Sequence, residues 1–228
     1  MEDNEWSFCS LWTYRLRVDD CADVLVNARL AGDYFFNRAR TKGCPDKTEG
    51  SVAKVFWNRG IDCHLYFSSA SNHRVVDKMY TLWLKNHKAI QDSLDVRVID
   101  RAQIPAWVKT FCSAFDVASW EDEVSKIVDA SFGQLDLLVC YINDRPAGSA
   151  ALFRKNNVTG LYCLGTIPEF RGRGVAKSLI RESANIASKH GSLLFVQSLE
   201  SEGSLALYQK AGFQIVYQKT ICLLPRPS

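Results

Sequence analysis

The sequence predicts an α/β protein, on three observations. Short apolar runs bounded by turn residues, such as Leu135–Tyr141 and Leu193–Val196, read as buried strands. Segments with apolar residues at helical spacing, such as Ser119–Phe132 and the stretch leading to His190, lie between them. Gly, Asn, Asp and Pro clusters punctuate the boundaries, as at Asn143-Asp144-Arg145-Pro146 and Lys155-Asn156-Asn157.

In chain order, Trp12–Val18 suggests a strand. Cys21–Ala31 fits a short amphipathic helix, with Ala22, Leu25, Val26 and Leu30 on one side and Gly32 as its stop. Asp33–Arg38 is aromatic-rich and reads as a strand. Thr41–Gly50 is a loop by composition. Ser51 caps a helix carrying Val52, Val55 and Phe56, which Gly60 ends. Ile61–Phe67 is a strand. Ser71-Asn72 opens a helix to His87, with Val76, Met79, Tyr80, Trp83 and Leu84 at helical spacing.

The pattern then starts again, with a boundary near Ser93. Asp95–Asp100 alternates as a strand does. Gln103–Phe115 is a helix with Pro105 in its first turn, and Ser119–Phe132 is a second. Leu135–Tyr141, Ala147–Arg154 and Gly160–Leu164 are strands, and the small residues Ala147–Ala151 admit a close neighbour. After a glycine-rich turn come a helix to His190, the strand Leu193–Gln197, a short helix around Tyr208 and a final strand, Gln214–Leu224, before a loose tail. The expected organisation is an N-terminal lobe, 1–94, packed against a second domain, 95–228.

Composition bounds the function. The chain has 228 residues, 47% hydrophobic and 23% charged, which suits a globular protein with a sizeable core. A net charge of +3 without a Lys/Arg run gives no footprint for nucleic acid. No apolar run approaches the ~18–20 residues that span a bilayer, and the acidic start lacks the features of a secretory signal. The expectation is a cytoplasmic protein with no membrane partner. The eight cysteines are scattered without a CxxC pair, so they read as free thiols, and no metal site is expected.

The chemistry concentrates in Val158–Phe213. A strand runs through Leu164-Gly165-Thr166-Ile167-Pro168 into Arg171-Gly172-Arg173-Gly174-Val175-Ala176, and a helix follows. Such a turn exposes backbone N–H groups beside a helix N-terminus, a cradle for phosphate. A nucleotide P-loop does not fit, because Arg171 occupies its first glycine position. A dinucleotide fingerprint does not fit either: Lys177 follows where it needs glycine, and the next strand carries no acid.

On these residues the sequence resembles the GNAT acyltransferase superfamily. Its acyl-CoA loop, Arg/Gln-x-x-Gly-x-Gly/Ala, is matched by Arg171, Gly174 and Ala176. Its downstream Leu-Tyr-x-x-x-Gly-Phe is matched by Leu207-Tyr208 and Gly212-Phe213. The resemblance covers residues 95–224. It implies the GNAT fold, a mixed central sheet flanked by helices with two parallel strands splayed at the acyl-CoA site, here Tyr162–Thr166 and Leu193–Gln197.

It further implies acetyl-CoA, or a related acyl-CoA, as donor to an amine acceptor, either a small molecule or a protein amino group. The donor would be held by Leu164, Gly165 and Thr166 along the strand and by Arg171, Gly172, Arg173, Gly174, Val175, Ala176, Lys177 and Ser178 at the turn. The backbone N–H near Leu164 would face the oxyanion, and Tyr208 would protonate the departing thiolate. The second splayed strand lacks the acid that family members often place there. Gln197 could order a water, and of the loop carboxylates Glu200 and Glu202, Glu200 is the expected base. The first half repeats a β-α-β-α order without the loop motif, as a degenerate GNAT-like lobe walling the acceptor cleft would. The expected assembly is a monomer or homodimer. The rival function is a non-catalytic acyl-CoA sensor or scaffold.

Overall fold

The computed structural model describes residues 1–18, 22–33, 35–41, 45–67, 73–84 and 94–224. The first described half comprises helix α1 (Glu2–Trp12), strands β1 (Tyr14–Val18), β2 (Ala22–Val26) and β3 (Arg38–Thr41), helix α2 (Pro45–Trp57), and strands β4 (Cys63–Phe67) and β5 (Arg74–Leu84). The second comprises β6 (Asp95–Val98), α3 (Ile104–Phe115), α4 (Glu121–Ser131), β7 (Leu135–Ile142), β8 (Arg145–Lys155), β9 (Val158–Thr166), α5 (Val175–Lys189), β10 (Leu193–Leu199), α6 (Leu205–Lys210) and β11 (Phe213–Leu224).

The eleven strands among the described residues share one mixed sheet, ordered β1-β2-β3-β4-β11-β5-β10-β9-β8-β7-β6. The two halves are therefore interleaved. β5 pairs antiparallel with β10 on one side and β11 on the other, and β11 then pairs with β4. β3 and β4 are parallel neighbours, as are β9 and β10.

Strict alternation along the inner strands builds two cores on opposite faces of the sheet. Leu137, Val139, Ala151, Phe153, Tyr162 and Phe195 point to the face covered by α1, α3 and α4. Leu138, Cys140, Leu152, Leu161, Leu194 and Val196 point to the face covered by α5 and α6. On the first face α1 is pinned by Asn4, whose Nδ2 donates to the Phe153 and Val158 carbonyls while its Oδ1 accepts from the Tyr162 hydroxyl at 2.8 Å. Phe8, one turn along, stacks on the Tyr162 ring with centroids 3.8 Å apart.

The second half follows the sequence pattern, apart from α4, which starts at Glu121 out of a 3-10 turn rather than from a Ser119 cap. The first half departs from it at several places. Residues 22–26 are a strand, not a helix: all five are buried, with both faces covered, so the helical spacing of Ala22, Leu25 and Val26 carries no information. In the expected aromatic strand, residues 35–36 are a turn, Tyr34 lies outside the described residues, and the strand begins only at Arg38. Helix α2 begins at Pro45, inside the stretch that composition assigns to a loop. Residues 74–84 are the central strand β5, not a helix. Met79, Thr81 and Trp83 face one side and Lys78, Tyr80 and Leu82 the other, and tertiary pairing with β10 and β11 overrides the helical spacing. The expected helix ends at 71–72 and 85–87, the loop centre at 42–44, the boundary at Ser93 and the tail at 225–228 lie outside the described residues.

Among the described residues no helix is long and apolar enough to cross a membrane. The described cysteines are free, and all but the half-buried Cys163 are buried.

Candidate active site

The parallel ladder between β9 and β10 ends at the Leu161–Val196 pair, while β9 continues to Thr166 and β10 to Leu199. A gap therefore opens between the two strands. On its other side β9 stays paired with β8, but through an irregularity: Ser149 faces Gly165 and Ala151 faces Tyr162, leaving Cys163 and Leu164 against a single residue. This is a β-bulge, and Cys163 takes φ +53° within it. The small residues of β8 serve the same bend. A Cβ on Gly148 would lie 2.6 Å from the Gly165 carbonyl oxygen and 2.5 Å from the Val175 side chain, so the close neighbours of Ala147–Ala151 are β9 and α5.

Beyond Thr166 the chain makes a 3-10 turn at Pro168–Phe170 and reaches Arg171. Gly172 and Gly174 follow at φ +76° and +87°, left-handed values, and a Cβ on either would find open space. Glycine is required there by backbone conformation rather than by crowding. α5 starts at Val175 with Gly174 as its N-cap and no side-chain cap, which leaves the first-turn N–H groups available. The Arg171 guanidinium braces the turn, donating to the Thr166 carbonyl at 3.4 Å.

A cavity of about 950 Å³ runs from this turn through the gap to the opposite face of the sheet. Of the residues expected from the sequence, Leu164, Gly165, Thr166, Arg171, Gly172, Gly174, Val175, Ala176, Lys177 and Tyr208 line it. Arg173, Ser178 and Glu200 do not. Arg173 lies over the Phe170 ring, 5.7 Å from its centroid. Ser178 is buried and its hydroxyl accepts from the Leu94 N–H at 3.2 Å, which ties α5 to the segment before β6.

Tyr208, on α6, is 5% exposed and meets the Phe213 ring edge-on at 5.8 Å. Burial first, then the nearby Glu202 charge, raises its phenol well above the ordinary tyrosine range, so the group is protonated at neutral pH. Glu200 points away: its carboxylate accepts from the Tyr80 hydroxyl at 2.7 Å and pairs with Lys78 at 3.3 Å. Those two donors hold its pKa below the usual range, the wrong direction for a base.

Of the two loop glutamates, Glu202 is the one that reaches the cavity. The residue as a whole is exposed, but protein atoms crowd its carboxyl and burial raises its pKa, with the fields of Asp33 and Asp77 adding to the rise. Asp77, on β5, fixes the loop that carries it, accepting from both the N–H and the hydroxyl of Ser201. Gln197 also lines the cavity, and both polar atoms of its amide are buried without a partner among the described residues. A buried amide left in this way is suited to a water or a polar substrate group.

Sequence reasoning missed Asp33 entirely. Its carboxylate accepts from the Phe35 and Phe36 N–H groups, at 2.7 and 3.4 Å, in a turn that replaces the expected strand. The only local signal was an Asp preceding three aromatics. Asn37 locks that turn from behind, donating to the Leu30 and Asp33 carbonyls. Asn27 joins it to α4, donating to Glu123 at 3.0 Å. The wall of the cavity opposite the glycine turn is thus built from the first half, α3 and the segment after it, through Phe35, Phe115 and Trp120.

Comparison with known proteins agrees with this geometry. The model of the acetyltransferase (GNAT) family matches residues 103–213. An uncharacterised N-acetyltransferase from Methanocaldococcus jannaschii is 28% identical over 85 residues, 33% of this chain, and the match spans only 38% of that protein. Among solved structures, a GCN5-related N-acetyltransferase from Kribbella flavida superposes with a TM-score of 0.70 at 12% identity, covering 99% of this chain and 94% of the other. A GNAT-family protein from Novosphingobium aromaticivorans gives 0.68 at 17% identity, with coverages of 99% and 96%. These likenesses establish the fold over both halves of the chain.

Proposed function

Because the chain belongs, through residues 103–213, to the acetyltransferase (GNAT) family, we propose that it is an N-acyltransferase that moves an acetyl group from acetyl-CoA to a primary amine by direct attack on the thioester. One observation carries this reading: a single cavity joins the glycine turn, the gap between β9 and β10, and the buried hydroxyl-bearing face of Tyr208.

The roles follow from chemistry. The donor pyrophosphate rests on the N–H groups of the 171–176 turn, with Arg171 and Lys177 supplying positive charge. The pantetheine arm lies along the free edge of Leu164–Thr166 and pairs with it as an added strand does. Glu202 takes a proton from the incoming ammonium, directly or through a water held by Gln197. The amine nitrogen bonds to the carbonyl carbon, the carbon–sulfur bond breaks as Tyr208 gives its proton to the leaving thiolate, and the remaining extra proton on nitrogen returns to the Tyr208 oxygen. Glu202 replaces Glu200 as base because it lines the cavity and its raised pKa makes it the stronger proton acceptor.

Residues 1–94 act in this reading as a GNAT-like lobe without a donor site. β3-α2-β4 repeats the strand–helix–parallel strand order of β9-α5-β10, and the lobe contributes cavity wall instead of a second glycine turn.

Calorimetry with acetyl-CoA, followed by a thiol-release assay over an amine panel, tests the proposal. Binding with amine-dependent release is expected. Binding without release across the panel would leave the chain an acyl-CoA sensor, and no binding at all would remove the donor assignment.

A further inference from the structure

Resting on that reading, we infer that the acceptor is a primary amine borne on an aromatic body that lacks a carboxylate, with its ring among Phe35, Phe115 and Trp120 and its ammonium received between Asp33 and Glu202.

The cavity changes character as it crosses the sheet. Its cationic lining residues among those described, Arg171 and Lys177, both belong to the donor turn. On the far face the lining is aromatic, backed by the fully packed rings of Phe8, Phe36 and Phe111. Phe35 and Trp120 remain partly accessible and Phe115 is 42% exposed, so these three offer ring surface to an occupant. An apolar slot lined by aromatic rings favours a ring over an extended polar chain.

Among the described residues, the charged groups facing that slot are both acids. Asp33 and Glu202 line the cavity from opposite halves of the chain, and each carboxyl is driven upward in pKa by burial. The field of Asp33 also reaches Glu202. An ammonium placed between them relieves both. Arg38, whose field reaches Asp33, is committed to Glu5 behind the wall and does not line the cavity. Among the described residues a carboxylate on the acceptor would therefore find two like charges and no cation, and would have to be buried unpaired. An amine without a ring would leave the aromatic slot unfilled.

The reaction balances with the groups named. The ammonium loses one proton to Glu202, the nitrogen bonds to the acyl carbon, and the carbon–sulfur bond breaks as Tyr208 gives its proton to the thiolate; the second nitrogen proton then restores the Tyr208 phenol, and Glu202 releases its proton to solvent. The products are an aryl-substituted amide and free coenzyme A.

The test titrates 2-phenylethylamine, phenylalanine and ethylamine into the full chain saturated with coenzyme A and reads affinity by calorimetry. 2-Phenylethylamine is expected to bind at least about tenfold more tightly than either of the others. Asp33→Asn keeps the oxygen that accepts from Phe35 and Phe36, so the turn persists. It should weaken 2-phenylethylamine about fivefold or more while leaving coenzyme A affinity unchanged. Equal binding of phenylalanine or of ethylamine, unchanged affinity in Asp33→Asn, or no binding of any amine would each overturn the inference. If coenzyme A itself does not bind, the donor reading fails separately. The amine comparison is then made on the chain alone and judged by the same ratio.

Discussion

Asp77 holds Ser201 by two hydrogen bonds, one from its backbone N–H at 3.2 Å and one from its hydroxyl. Asp77 lies on β5 in the first half of the chain, and Ser201 sits between the two glutamates of the loop that follows β10. The position of Glu202 is thus set by a residue far away in sequence. Asp77→Ala should lower kcat about tenfold with little change in the KM for acetyl-CoA, because the donor turn is untouched. It should also cost about 1–3 kcal/mol of stability, since two part-buried hydrogen bonds to a carboxylate are lost. Steady-state kinetics and urea unfolding read the two effects. A fall in acetyl-CoA affinity without a fall in kcat would contradict the assignment.

Replacing Tyr208 by Phe keeps the ring against Phe213 and removes only the proton. Turnover is expected to fall about 10²-fold or more, with acetyl-CoA affinity within about twofold of the parent. Pre-steady-state thiol release, with binding measured in parallel, distinguishes this from a packing defect. Unchanged turnover would take Tyr208 out of the mechanism.

The carboxyl of Glu202 has a raised pKa in the folded chain, and the consequences for rate and stability run in opposite directions. As a base it must be ionised, so the acid limb of kcat/KM should fall at a higher pH than an ordinary carboxylate would give, and Glu202→Gln should abolish that limb together with most of the activity. For stability, a raised folded-state pKa means the protonated form is preferred by the fold. Its contribution is present below the unfolded pKa and is lost as pH rises through the folded value. Glu202→Gln should therefore melt at or above the wild-type temperature at neutral pH, with the difference closing in acid. A variant that loses both activity and stability at neutral pH would argue for a structural role.

Gly174→Ala places a side chain at φ +87°, a conformation that costs about 1–2 kcal/mol outside glycine. The strain falls on the turn whose N–H groups face the donor, so acetyl-CoA affinity should drop before global stability does. Arg171→Ala should weaken the same binding while leaving the left-handed backbone intact. Calorimetry on both variants, alongside thermal melts, separates charge from backbone geometry.

The cavity residues proposed to hold the donor could be named from the sequence because they are contiguous. A strand, a glycine turn and a helix follow one another in the chain, and Arg171, Gly174 and Ala176 are read within a single window. Tyr208 lay in a second short motif. The acceptor side was illegible for the opposite reason. Asp33, Phe115, Trp120 and Glu202 meet only after the sheet assembles, and no local pattern relates them. β5 was misread because Val76, Met79, Tyr80, Trp83 and Leu84 satisfy a helical period as well as a buried strand. Only the neighbours β10 and β11, more than a hundred residues away, decide between the two. Glu200 was preferred to Glu202 because adjacent loop residues differ in direction, which sequence does not encode.

The insertion of β5 between β10 and β11 has a kinetic meaning. β11 can find its place only after β4 and β5 are positioned, and β5 has no neighbour on either side until the second half is present. Both edges of β5 are open templates while the chain is incomplete, and the closing contacts span most of its length. Folding should therefore be slow and all-or-none across the two halves, with a single unfolding transition seen by every probe. The loop that carries Glu202, tied to β5 through Asp77, is assembled in the same late event, so on the proposed function the first molecules to become resistant to protease should also be the first to become active.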